Sequence, residues 1–138
     1  MSNEAEVSVP EPAPSPSDII KARASRVDYA EDMLGRKIGV KWLGPMGRVS
    51  LARIVGNADM GNEEVANHFT AAYAVCSIDN VVYAPPQNMA ELEMMLQRLD
   101  DEGVICAMRL IMEQRVSMLN SKRGQDASKE ASESLKNS

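Results

Sequence analysis

Asn67–Gly103 reads NHFTAAYAVCSIDNVVYAPPQNMAELEMMLQRLDDEG, and the architecture is decided within it. Phe69, Ala72, Tyr73 and Cys76 recur at three- and four-residue steps, which predicts one face of an amphipathic helix. Asp79-Asn80 ends that period, because both side chains hydrogen-bond their own backbone and favour a turn. Val81, Val82 and Tyr83 are β-branched or aromatic and suit a short strand. Pro85-Pro86 can sit in neither a helix interior nor a central strand, so the chain turns there. Asn88 with Glu91 three residues on has the spacing of a capping box. Met89, Leu92, Met95, Leu96 and Leu99 then form a helical stripe, and Gly103 suits the helix C-cap.

The order of these features resembles the tail assembly chaperones of tailed bacteriophages. The matching positions are Ala71, Ala74, Ser77, Ile78, Asp79, Pro85, Leu92, Leu96, Arg98, Leu99, Asp101 and Gly103, about a quarter of the chain, with a looser match over residues 36–120. Asn80 and Asp100 stand where relatives commonly carry glycine; Asn tolerates a left-handed backbone, so the turn at 79–80 is compatible. The resemblance implies a non-catalytic protein that holds the long, helical tape measure protein in solution during tail tube assembly. It also implies the tail tube protein as a further partner, a place in the host cell cytoplasm rather than in the mature virion, and in some members a longer frameshifted form.

Composition sets the frame for that expectation. The 138 residues are 44% apolar and 25% charged, as in a globular chain with one domain. Aromatics make up only 4% while methionines number 10, so an aliphatic, Met-filled core is expected. No apolar run approaches the ~18 residues of a membrane span, and the acidic start MSNEAEVSVPEP lacks the character of a signal peptide. Cys76 and Cys106, both expected on buried helix faces, read as free thiols of a reducing compartment rather than a disulfide. The net charge of −5 is unevenly spread: residues 19–56 carry eight bases and three acids, residues 57–103 one base and nine acids. These halves either neutralise each other within the domain or steer an oppositely charged partner.

Outward from the central stretch, residues 1–17 carry Pro10, Pro12, Pro14 and Pro16 among acids and serines, and predict a disordered tail. Such alternating prolines could also dock an aromatic groove as a polyproline helix. Residues 18–120 form the domain. Ser17-Asp18 caps a helix expected over 19–34, with a thin stripe of Ile19, Ile20, Val27, Ala30, Met33 and Leu34 ending at Gly35. Lys37–Leu43 alternates, with Ile38, Val40 and Trp42 on one side, and predicts a half-buried strand paired with Val81–Tyr83. Gly44-Pro45 opens a helix that points Met46, Val49, Ala52 and Ile54-Val55 inward and Arg48 and Arg53 outward, until Gly56-Asn57 stops it. Asn62 caps the next helix, with Glu63-Glu64 at its positive end.

The last helix, Val104 to about Leu119, is apolar over a wide arc, and residues 121–138 read as a second disordered tail. The expected fold is therefore mainly α: a small domain of about five helices with a short two-stranded β piece between disordered tails. A helix apolar nearly all round is either central or has a face awaiting a partner. Its methionines either fill the core or line a binding surface, a use to which their unbranched, polarisable chains are suited. The proposed partner-binding residues are Met94, Met95, Met108, Met112 and Leu119, and an exposed patch of this kind also predicts homo-oligomers.

Motifs for catalysis, nucleotide binding and zinc are absent from the sequence, so neither enzyme activity nor a cofactor is expected. Pro45 removes a donor from the one glycine pair, Gly44 and Gly47, that resembles a phosphate cradle. His68 has no companion at metal-ligand spacing, and Asp100-Asp101-Glu102 reads as a solvated helix end rather than a metal site. A different class of function, a small nucleic-acid-associated regulator using the basic region 19–56, is the alternative; the acidic overall balance weighs against it.

Overall fold

Gly39 lies midway along the strand on which the sheet is built. A computed structural model describes the backbone of residues 13–136 and the side chains through residue 121. Helix α1 (Pro16–Ala24) leads to strands β1 (Val27–Glu31) and β2 (Lys37–Lys41). Helices α2 (Pro45–Val55), α3 (Asn57–Met60) and α4 (Glu63–Ala74) follow, then strands β3 (Val75–Ile78) and β4 (Val81–Val82) and helix α5 (Met89–Lys136). The four strands form one antiparallel sheet in the order β1-β2-β3-β4, and α4 and α5 supply most of the helical packing. The core joins Ile38 and Val40 of the sheet to Leu51, Phe69, Ala72, Leu92, Leu99, Ala107 and Leu110 of the helices.

Local chemistry sets the ends of these elements. Asp79 and Asn80 both take positive φ (49° and 68°), the geometry of a tight β3–β4 hairpin turn. Asn62 Oδ1 accepts the Val65 N–H, and Asn88 Oδ1 accepts the Glu91 N–H, as their N-cap positions require. Pro45 occupies the first turn of α2 behind Gly44. The α1 cap lies earlier than expected: Ser15 and Asp18 form a reciprocal capping box, so Pro16 and Ser17 belong to the helix rather than to a tail. The rest of the expected tail, residues 1–12, lies outside the described residues.

The helix expected over 19–34 stops at Ala24. Its second half is β1, because Val27–Glu31 finds a partner in Lys37–Lys41 and a thin apolar stripe supplies little to hold a helix. The expected pairing of Val81–Tyr83 with Lys37–Leu43 is also corrected. Strand β3 lies between them, so the sheet has four strands, not two. The helical period through Cys76 runs past the true end of α4 at Ala74. Gly39 faces Ser77 while Val40 faces Val75, which leaves Cys76 as the extra residue of a bulge. In α2 it is Leu51 that enters the core, whereas Met46 and Val49 face solvent.

At Gly103 the expected C-cap is absent. The helix breaks three residues earlier, at Asp100 (φ 52°, ψ −169°), and Gly103 is buried within the following segment. Arg36 accounts for the position of the break. Its guanidinium donates to the carbonyl oxygens of Arg98 and Leu99, which have lost their helical partners, and its Nε donates to Asp32 Oδ2 at 2.8 Å. Asp32 is buried and its Oδ1 accepts the N–H groups of Leu34 and Arg36, 2.9 Å each. One side-chain pair thus ties the β1–β2 turn to the break in α5. Beyond the expected end near Leu119 the backbone stays helical to Lys136, through a segment rich in the good helix formers Lys, Glu and Ala.

Acid should loosen this tie. Burial works to raise the Asp32 pKa, but the hydrogen bonds from the Arg36 N–H, its guanidinium and the Leu34 N–H outweigh it and hold the carboxyl below its ordinary value. The unfolded chain, with an Asp pKa of about 3.9, then takes up the proton before the folded one. Stability from this group is present above that value and is lost as pH falls from about 4 through the depressed folded pKa. Urea unfolding at pH 7, 4 and 3 should show the loss, and Asp32→Asn should flatten it. An unchanged slope in that variant would assign the acid sensitivity to other carboxylates.

Candidate functional site

The second segment of α5 has two apolar faces. Val104, Cys106, Ala107, Leu110 and Gln114 are buried against the sheet and α4, with Gln114 Nε2 donating to Asp28 Oδ2 (2.7 Å) and the Val40 carbonyl (3.3 Å). On the opposite side, Ile105, Met112, Val116 and Leu119 are exposed, Met112 to 66%. At 100° per residue these four fall within roughly 60° of arc and extend about 21 Å along the axis. Spacings of seven, four and three residues give the narrow stripe of a coiled-coil seam rather than the broad face of a core helix. Arg109 and Glu113, 3.7 Å apart, lie along one flank.

The structure separates the five sequence-predicted residues. Met112 and Leu119 lie on the seam, and Met108 is half-buried beside it, against Asn62, Glu64 and His68. Met95 is 3% exposed and belongs to the core, so it offers almost no surface to a partner. Met94 is exposed, but it precedes the break at Asp100 and lines a separate recess of about 280 Å³ with Tyr83, Pro85, Glu91 and Arg98. Ile105 and Val116 complete the seam. Neither was among the residues proposed from sequence, and their seven- and four-residue spacing to Met112 is the signal that picks them out.

A second apolar surface surrounds Trp42. A groove of about 630 Å³ runs between α1 and the start of α2, floored by Trp42 and Leu43 and walled by Ile20, Ala24, Met46 and Tyr73. Arg23 and Lys41 stand on its rim, Arg23 over the Trp42 ring at 5.2 Å and Lys41 over the Tyr73 ring at 5.1 Å. Burial lowers the Lys41 pKa, with Cys76 partly opposing it. No local pattern in the chain signals this groove, because its walls come from segments separated in sequence.

The thiols and the histidine have unremarkable surroundings. Burial pushes the Cys76 thiol up, Lys41 partly opposing it, and burial likewise raises Cys106, so both are protonated at neutral pH. Both cysteines are free, Cys106 buried on α5 as expected and Cys76 half-buried on β3 rather than on a helix. His68 Nδ1 lies 2.8 Å from the Glu64 carbonyl oxygen, and among the described residues no group of three or more His, Cys, Asp or Glu is placed to hold a metal. Among the described residues no helix is long and apolar enough to cross a membrane. What the arrangement offers chemically is apolar contact along a helix and in a groove. No family model, curated protein or solved structure matches the chain.

Proposed function

We propose that this protein is an assembly chaperone of the phage-tail type, which uses the α5 seam to hold an amphipathic helix of the tape measure protein. The observation that supports it is the line Ile105, Met112, Val116 and Leu119, exposed opposite the core face of the same helix. A partner helix laid along this seam would bury apolar residues at matching seven-residue intervals. Two of the four seam residues, Met112 and Leu119, are among those singled out from sequence.

The nucleic-acid alternative finds less support in how the basic residues of 19–56 are used. Arg23, Lys37 and Lys41 lie over aromatic rings, Arg26 pairs with Asp28, Arg36 caps the broken helix, and Arg48 donates to the Leu43 carbonyl. A phosphate-binding surface needs such side chains free to meet the backbone of the nucleic acid.

Co-expression with the tape measure protein tests the proposal. Met112→Glu, alone and with Val116→Glu, should leave folding stability within about 0.5 kcal/mol of the parent, as for exposed sites generally. The partner should then move from the soluble to the insoluble fraction. A variant that keeps the partner soluble would remove the seam as its site, and one that unfolds would place Met112 in the core. Raising salt from low to moderate levels should change the interaction little, whereas contacts to phosphate would weaken by orders of magnitude.

A further inference from the structure

Strand β1 is an outer strand of the sheet, and its open edge is set out for hydrogen bonding. The Trp42 N–H donates to the Arg26 carbonyl (3.3 Å) and the Asp32 N–H to the Arg36 carbonyl (2.9 Å), which fixes the phase of the β1–β2 ladder. In the register that pairs Val27 with Lys41 and Glu31 with Lys37, residues 28 and 30 therefore bond to β2. The N–H and C=O groups of Val27, Tyr29 and Glu31 point the other way, and among the described residues none of them has a partner. Sheets usually blunt such an edge with a proline, a lysine, a bulge or a very short strand. β1 has none of these: it reads VDYAE, and its register with β2 is unbroken over five residues. The opposite edge, β4, is two residues long and runs into Pro85-Pro86. The Tyr29 ring does not shield the β1 edge, because it lies inward over Gly39 of β2. Helix α1 packs toward Trp42 at the end of the sheet.

We propose that this edge pairs with the same edge of a second copy of the chain, antiparallel about a two-fold axis at Tyr29, which joins two four-stranded sheets into one. The charges select that axis. An axis at Asp28 sets Asp28 opposite Asp28 of the second copy, and an axis at Ala30 sets Asp28 opposite Asp32. Like charges directly opposite destabilise a strand pair. With the axis at Tyr29, Asp28 meets Ala30, Val27 meets Glu31 and Arg26 meets Asp32, so no like charges face each other. This axis also pairs all three outward-facing positions, 27 with 31, 29 with 29 and 31 with 27. Three such pairs exchanging two bonds each give six hydrogen bonds between the copies. The chain thus supplies its own matching strand in length, spacing and charge. None of these residues belongs to the α5 seam, so the dimer and the capture of a helix are separate properties.

Amide hydrogen exchange of the full chain, from micromolar to millimolar concentration, reads the interface residue by residue. Protection at 27, 29 and 31 should rise roughly ten-fold across that range by mass action, while protection at 28 and 30 stays constant. Sedimentation velocity should show a monomer passing to a dimer over the same range. Val27→Glu sets glutamate opposite Glu31 of the second copy, twice per dimer, and should weaken dimerisation roughly ten-fold. Adding Glu31→Val to it exchanges the two side chains, restores the original pairing across the axis and should return the dimer to within about three-fold of the parent. Unchanged far-UV circular dichroism in both variants separates loss of the dimer from loss of fold, and the exchange pattern of the parent stands without either variant. A chain that stays monomeric throughout overturns the proposal. So does protection that appears at 27, 29 and 31 only when another protein is added, which assigns the edge to a foreign strand. A dimer that Met112→Glu abolishes and Val27→Glu leaves intact also overturns it, and assigns self-association to the seam.

Discussion

Replacing Arg36 by Met should lower the unfolding free energy by about 3–5 kcal/mol, the usual cost of removing one partner from a buried ion pair. The substitution strands Asp32, whose Oδ2 faces Arg36 Nε at 2.8 Å, in a buried position. It also uncaps the carbonyls of Arg98 and Leu99 at the break in α5. Against a total stability of about 5–15 kcal/mol for a domain, that loss is large enough to shift the urea midpoint plainly. Arg36→Lys should recover little, since a point charge cannot reach Asp32 and two carbonyls together as the planar fork does. The double variant Arg36→Met with Asp32→Asn should recover more than half, because asparagine removes the stranded charge while its Oδ1 still accepts the N–H groups of residues 34 and 36. A loss below about 1 kcal/mol in the single variant would show that the pair sits in a wetter place than its burial indicates.

Gly39→Ala should be the most damaging methyl in the sheet. Alanine ordinarily stabilises by about 0.4–1 kcal/mol through the unfolded chain wherever the folded site accepts it. Here the site does not. An added Cβ would collide with Ser77 Oγ and lie 2.8 Å from Tyr29 Cε1, between the two strands that flank β2. Overpacking of this kind costs about 1–3 kcal/mol, occasionally more, so the clash outweighs the entropic gain. The Tyr29 ring is itself held across the strand by Lys37, whose Nζ lies 4.6 Å from the ring centre. Thermal unfolding should show the drop, with partial recovery when Ser77→Gly is added and the nearest atom removed. Full recovery would mean that the Tyr29 ring moves freely and contributes no part of the obstacle.

Both effects depend on contacts between residues far apart in the chain, and that is where sequence and structure divide. Features carried by a few adjacent residues were legible. The turn at Asp79-Asn80, the caps at Asn62 and Asn88, the start of α2 at Gly44-Pro45 and the extended run Lys37–Lys41 all follow from local backbone preferences. The wide apolar arc of the last helix was legible too, because its composition alone shows more apolar surface than one packing face requires.

The strands β1 and β3 were not legible. Each becomes a strand by hydrogen-bonding to β2, while its own residues continue a three- and four-residue pattern borrowed from the neighbouring helix. The same holds for the break in α5, which depends on Arg36 lying 62 residues before Arg98 and which a cap at Gly103 would otherwise have explained. The sequence by itself determined the turn at Asp79-Asn80, the start of α2 at Gly44-Pro45 and that α5 is apolar on more than one side. Only the tertiary structure decided which of those sides is core, sending Met95, Cys106 and Leu110 inward and leaving Met112, Val116 and Leu119 out, because burial is conferred by the sheet and α4 against which α5 packs.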